Sequence, residues 1–225
     1  MALTTVKVLT DVLKATREEA GRLRADFARA GTFVVDLIGG PGCGKTRLLE
    51  ASLGPLAGRF RTAVLVGDVA TPRDAERLAG RGAESYQLVT EGACHLSPSL
   101  VRVGVSELVK TVGALPELLI IENVGNLVCP AAWDLGEDAK IVLFSVTEGE
   151  DKPVKYPKIF RQARYAVLSK MDLLPHVPFS VEKAVAFARQ VNPDLEFLFT
   201  SALVPGGLEE WYGFLRAQVR RRQVA

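Results

Sequence analysis

The sequence is poor in cysteine, with three in 225 residues. An odd number of thiols in a chain of this length makes no disulfide framework and fits a reducing compartment. Excess charge is also lacking. Lys and Arg number 28 and Asp and Glu 26, a net charge of +2, which gives no general pull toward nucleic acid or an anionic membrane surface. No apolar run approaches the roughly 18 residues that cross a bilayer, and the N-terminal residues lack the apolar core of a signal peptide, so the expectation is a cytoplasmic protein without a membrane partner. Internal repeats, low-complexity linkers and abrupt changes of composition are missing too, and Arg220-Arg221-Arg222 reads as a solvated helix end. With 48% hydrophobic and 24% charged residues, the chain is expected to fold unaided as one α/β domain with a substantial core.

What is present is alternation. Leu9, Val12, Leu13, Ala20, Leu23 and Phe27 recur at helical spacing and mark an amphipathic first helix, ended by Gly31. Thr32 to Ile38 then reads as a buried strand, Arg47 to Leu56 as a helix and Arg61 to Val66 as the next strand, a β-loop-α-β unit. Strands follow near Ser85–Val89, Leu118–Glu122, Lys140–Val146, Arg164–Ser169 and Leu195–Phe199. Helices are expected near Asp74–Leu78, Ser99–Val112, Val181–Gln190 and Leu208–Arg222. The pattern is that of a three-layer α/β fold with a mainly parallel sheet.

Gly39-Gly40-Pro41-Gly42-Cys43-Gly44-Lys45-Thr46 satisfies G-x-x-x-x-G-K-[ST] and lies between a buried strand and a helix. Such a P-loop curls so that backbone N–H groups from Gly40 to Arg47 converge on phosphate oxygens at a helix N-terminus. Lys45 is expected to bridge the β- and γ-phosphates and Thr46 to offer its hydroxyl to Mg²⁺. Cys43 shapes the loop backbone. The motif specifies a nucleoside triphosphate, not its base. The domain organisation read from it is an N-terminal helix, residues 1–30, packed on a P-loop domain of residues 31–225. Carboxylates to hold the cation's shell belong at the ends of neighbouring parallel strands, where Asp68, Asp74 and Glu122 are placed. Gly125 completes an E-x-x-G arrangement able to run close to a γ-phosphate and change shape when it leaves.

Ser169-Lys170-Met171-Asp172 is a variant of N-K-x-D, in which the aspartate accepts from guanine N1 and N2, donors that adenine lacks. Ser169 in place of the asparagine is expected to weaken one structural hydrogen bond. Ser201 and Ala202 occupy the place of a second base-contacting loop. Cys94, His95 and Cys129 form a borderline-soft set suited to Zn²⁺ or Ni²⁺. The same residues also fit two reduced core thiols and an ordinary histidine, and the residue pattern leaves both readings open. Because neighbouring strand side chains point to opposite faces, Cys94 and His95 converge only in an irregular loop, which Gly92 and Pro98 permit.

With these residues in view, the sequence resembles the HypB family of hydrogenase nickel-insertion GTPases, in the SIMIBI class. The resemblance covers nearly the whole chain. It rests on the P-loop, Gly67-Asp68 through Arg77, Cys94-His95-Leu96, the segment from Ile121 to Pro130 and the segment from Ser145 to Pro157. It implies slow hydrolysis of GTP to GDP with Mg²⁺, a GTP-dependent homodimer, and nickel delivery to the hydrogenase large subunit with a second accessory protein. It further implies that Cys94, His95 and Cys129 bind Ni²⁺ or Zn²⁺ at the dimer interface, that Thr46, Asp68 and Glu122 hold Mg²⁺, and that Asp68, Asp74 or Glu122 positions water beside Lys45. Lys155 corresponds to a lysine that reaches the guanine bound by the partner subunit, and Leu173 and Val177 to apolar dimer contacts. The chain departs from the family pattern in three ways. No Cys- or His-rich segment precedes Leu9, so metal is expected to be handled by the GTPase domain; Ser97 replaces an aspartate; and Ser169 replaces an asparagine. No glutamine or arginine finger is visible in the sequence, so slow intrinsic turnover is expected. Related GTPase chaperones for another metalloenzyme share the switch without these segments, and a small-molecule kinase shares only the P-loop.

Overall fold

A computed structural model describes residues 2–68, 77–78 and 80–224, with the backbone alone for residues 2–12. The elements are α1 (Ala2–Ala30), β1 (Phe33–Gly39), α2 (Lys45–Ala57), β2 (Thr62–Asp68), β3 (Glu84–Val89), α3 (Pro98–Val112), β4 (Leu118–Glu122), β5 (Ala139–Ser145), α4 (Lys152–Lys155), α5 (Pro157–Gln162), β6 (Tyr165–Ser169), α6 (Val181–Val191), β7 (Glu196–Phe199) and α7 (Glu209–Val224). All seven strands join one sheet in the order β3-β2-β4-β1-β5-β6-β7, and every pair is parallel. β1 is central, and the chain turns to opposite sides of it, so the loop after β1 lies at a topological switch point.

β1 shows how the layers are specified. Phe33, Val35 and Leu37 face a core formed with Leu48, Leu49 and Leu53 of α2 and Trp211 and Leu215 of α7. Val34 and Ile38 face the other layer, against Leu23 and Phe27 of α1 on one side and Phe144 and Phe160 on the other. Asp36 shares that second face and is fully buried. Its carboxylate accepts from Lys140 Nζ at 2.9 Å and from Asn123 Nδ2 at 3.0 Å. Lys140 also donates to the Trp133 carbonyl at 2.8 Å and pairs with Glu137. Burial raises the Asp36 carboxyl to about 6 against the pull of Lys140. Burial works against the ammonium as well, yet Asp36 and Glu137 lift Lys140 to about 12. The pair is therefore ionised at neutral pH.

Local stops match their chemistry. Ser97 caps α3 by accepting from Leu100 N, Pro98 fills the first turn, and Gly113 ends the helix at φ 79°. Ser97, where a metal-site carboxylate was at issue, thus serves the helix start. Several elements differ from the sequence reading. β2 extends through Gly67-Asp68, so Asp68 ends the strand itself and does not follow it. Two short helices, Lys152–Lys155 and Pro157–Gln162, and 3₁₀ turns at Pro130–Ala132 and Met171–His176 were not expected. They are too short to display a period. The expected helix near Asp74 is described only at 77–78; Asp74 itself, like the side chains of Leu9 and Val12, lies outside the described residues.

Removing one member of the buried pair should be costly. Lys140→Met is expected to destabilise the protein by about 3–5 kcal/mol in urea unfolding, and Asp36→Asn with Lys140→Met to recover most of that loss. The pH dependence has a definite sign. Because folding raises the Lys140 pKa, its contribution is complete below the ordinary lysine value and disappears as pH rises through about 12, where the urea midpoint should fall.

Candidate functional site

The P-loop closes as its glycines allow. Gly42 and Gly44 adopt φ 75° and 106°, and a Cβ on Gly39 would lie 2.6 Å from both Cys43 Sγ and the Leu143 carbonyl oxygen. Lys45 Nζ donates to the carbonyls of Gly39 (2.9 Å) and Gly40 (3.4 Å), which aims it along the loop. A cavity of about 490 Å³ opens there, lined by Lys45, Thr46, Asp68, Arg77, Glu122 and Gly125 among others. Thr46 Oγ1 donates to Glu122 Oε1 at 2.7 Å. Gly125 runs beside Pro41, and a Cβ on it would lie 3.6 Å from Pro41, in van der Waals contact. A hydroxyl and two carboxylates around one phosphate-sized cavity form a hard oxygen set that fits Mg²⁺.

Arg77 was quoted in a motif but given no role by the sequence reading. It lines the cavity, and its Nε donates to Glu50 Oε1 at 3.0 Å. Burial pushes the Glu50 carboxyl up, but hydrogen bonds from Arg77 and Arg47 hold it below the usual range. Arg47, expected to bind cofactor through its backbone, thus also helps orient Arg77 through Glu50. The signal in the sequence was the single acid on α2 facing two arginines, which spacing alone does not reveal.

A second cavity of about 240 Å³, where the base was expected, adjoins the P-loop and is bounded by Lys170, Asp172, Leu173, Thr200, Ala202 and Leu203. Lys170, at φ 58°, donates to the Gly42 carbonyl at 2.7 Å and so braces the loop. Ser169 does not lose its tether: its hydroxyl donates to the Cys43 carbonyl at 2.6 Å, correcting the expectation of a weakened bond. Ser201 is buried and stands behind Asp172, donating to its Oδ1 and accepting from its N–H, both at 2.8 Å. Ala202 forms the wall. Lys155 lies away from both cavities, exposed and paired with Asp151 at 2.7 Å. Leu173 and Val177 are half-buried against the core around Phe144.

Cys94, His95 and Cys129 are the expected soft ligands. The Cys129 thiol lies beside that of Cys94, whose Sγ is 3.9 Å from His95 Nδ1. His95 lies flat on Trp133, with ring centroids 4.5 Å apart and planes at 15°. Among the described residues no three His, Cys, Asp or Glu side chains close around one point. The stack turns the imidazole along the Trp133 face while Cys94 stays exposed. The hydrogen bond with Cys129 raises the Cys94 thiol above its ordinary value, and burial lowers the His95 imidazole, which favours its neutral, ligating form. Cys43 is separate, fully buried and raised to about 11 by that burial.

Backbone contacts bind this loop to the phosphate cavity. Leu96 N donates to Asn123 Oδ1 at 3.2 Å, and Asn126 Nδ2 donates to the Cys94 carbonyl at 3.3 Å. A Cβ on Gly67 would meet the Leu96 side chain at 2.8 Å. The Cys94–Leu96 loop therefore rests on β2 and on the segment after β4 at once. Removing the Cys129 thiol should let Cys94 ionise at lower pH. Cys129→Ala is expected to shift the pH midpoint of Cys94 alkylation, followed by peptide mass spectrometry, downward, with Cys43 unlabelled throughout.

Residues 33–199 match the family model described as CobW/HypB/UreG, nucleotide-binding domain. The "Hydrogenase maturation factor HypB" of Azotobacter vinelandii is 43% identical over 213 residues, 95% of this chain and 69% of that protein. The "Hydrogenase/urease maturation factor HypB" of Helicobacter pylori (strain ATCC 700392 / 26695) is 36% identical over 217 residues, 96% of this chain and 88% of that protein. The crystal structure of HypB from Helicobacter pylori in complex with nickel superposes with a TM-score of 0.86, covering 93% of this chain and 97% of that one at 36% identity. With its parallel P-loop sheet, its E-x-x-G segment and these relatives, the chain belongs to the HypB family of nucleotide-binding proteins.

Proposed function

We propose that this protein is a GTP-hydrolysing nickel chaperone for hydrogenase maturation. The observation that carries the reading is the segment from Glu122 to Cys129. At one end Glu122 accepts from the P-loop Thr46, and seven positions later the Cys129 thiol stands beside that of Cys94. A change at the terminal phosphate therefore reaches a thiol through one short run of backbone.

The P-loop amides of Gly40 to Arg47, with Lys45, bind the β- and γ-phosphates. Asp172, oriented by Ser201, selects guanine, and Ala202 packs against the base. Thr46, Asp68 and Glu122 supply oxygen ligands for Mg²⁺, which when bound neutralises phosphate charge. A carboxylate of the set Asp68, Asp74 and Glu122 orients water toward the γ-phosphorus. The new P–O bond forms as the bond to the β–γ bridging oxygen breaks, leaving GDP and inorganic phosphate. Arg77, held by Glu50, adds positive charge at the cavity wall.

Nickel is the cargo. Two thiols and a neutral imidazole suit Ni²⁺ or Zn²⁺, and since one chain leaves the set unclosed, a second copy completes it. In that homodimer Lys155 exchanges Asp151 for the guanine of the partner subunit, and Leu173 and Val177 become covered. The relatives' name, hydrogenase maturation factor, supports a hydrogenase client; delivery to its large subunit together with a second accessory protein completes the proposal. The name of the Helicobacter pylori relative, which adds urease, supports a second client among nickel enzymes.

The test is an anaerobic Ni²⁺ titration with molecular mass followed by light scattering. Dimer mass and tighter Ni²⁺ binding are expected with a nonhydrolysable GTP analogue and Mg²⁺, and monomer with weaker binding in GDP; identical behaviour in both nucleotides refutes the reading. Asp172→Ala should reduce GTP affinity by about 100-fold, about 3 kcal/mol, to the level of ATP, measured by competition against a fluorescent nucleotide. Equal preference in parent and variant would remove the guanine assignment.

A further inference from the structure

Asp36, Lys140 and the amide of Asn123 have no role in the reading above, and Asn123 also lines the phosphate cavity. They belong to one closed ring of contacts. Asn123 follows Glu122 directly, and its own N–H donates to the Leu37 carbonyl at 3.0 Å. Its amide oxygen accepts from Leu96 N at 3.2 Å, and its amide nitrogen donates to Asp36 at 3.0 Å. Asp36 holds Lys140, and Lys140 holds the Trp133 carbonyl at 2.8 Å. Trp133 stacks on His95, and His95 is bonded to Leu96, which returns to Asn123.

We infer that Asn123 is the positioning residue that transmits the state of Glu122 to His95, with the Asp36–Lys140 pair fixing its amide and anchoring the Trp133 platform. The inference rests on the nickel-GTPase reading and specifies its wiring. The physical argument is one of rigidity. Asn123 is 1% exposed, and both ends of its amide are engaged, so it cannot rotate without leaving a buried polar group unmatched. A shift of Glu122 toward or away from Thr46 must therefore carry the Asn123 amide with it, and Leu96 N follows. On the far side Trp133 is pinned through its carbonyl to the sheet. His95 is thus moved at its backbone and restrained at its ring, and the imidazole turns relative to Cys94. A route through Gly125 and Cys129 moves the thiols; this second route moves the imidazole.

Trp133 itself provides the readout, because the chain has two tryptophans and the other, Trp211, is buried in the core between α2 and α7. In a Trp211→Phe background, exchange of GDP for a nonhydrolysable GTP analogue with Mg²⁺ should change Trp133 emission. Adding Asn123→Ala should abolish at least four-fifths of that change at saturating analogue, while the melting transition remains cooperative. Asp36→Asn with Lys140→Met, which keeps the contact from Asn123 to Leu96 but loosens the platform, should reduce the change by about half. A full emission response in both variants overturns the wiring. If Asn123→Ala does not fold, the charge-neutral double variant decides alone, and an undiminished response from it overturns the inference. Failure of the parent to bind the analogue refutes the GTPase reading instead, whereas analogue binding with emission blind to the nucleotide refutes the wiring alone.

Discussion

The adjacency of β1 and β4 is the constraint on which the rest depends. Leu37 registers with Glu122, so the strand that feeds the P-loop lies beside the strand that ends in its acid. Two parallel strands paired at this register deliver their C-terminal loops to the same place, and the Thr46 hydroxyl meets the Glu122 carboxylate at 2.7 Å without any long-range adjustment. β2, on the far side of β4, brings Gly67 and Asp68 to the same rim. Chemistry and conformational change both begin from three strand ends held by backbone hydrogen bonds.

Much of this was legible because it is periodic or because it is a motif. The strands from Thr32, Leu118 and Arg164 stand out as apolar β-branched runs, and each is found within a residue or two of its expected limits. The P-loop and the Asp172 turn carry their expected chemistry in short spacing, and residues 33–199 match the model of a nucleotide-binding domain family. The less legible parts are long-range pairings between single residues. Asp36 reads as one polar residue in a buried strand; its meaning requires Lys140 on β5 and Asn123 beyond β4, 104 and 87 positions away. Arg77 and Glu50 are separated by 27 positions and joined only by the fold. Ser169 was misjudged for the opposite reason. A shorter side chain suggests a shorter reach, but the P-loop backbone comes close enough for its hydroxyl to bond Cys43 O.

The site also divides its rigid and adaptable parts in a consistent way. Around the phosphates, glycines and buried carbonyl contacts fix the backbone, and Lys45, Lys170 and Ser169 each brace it from a different direction. Around the thiols, the contacts are fewer and more exposed, with Cys94 at the surface and Val128 beside Cys129 59% exposed. Lys155 follows the same division, resting on an exposed neighbour that competes only weakly for it.

Cys43 gives this architecture a built-in immunity. Besides the accessible sulfur of Cys94, the protein carries another in its P-loop. That sulfur is sealed between Gly39 and the sheet, and burial raises its pKa to about 11. Soft cations and mild oxidants meet no thiolate there, so chemistry that reaches Cys94 passes the P-loop by.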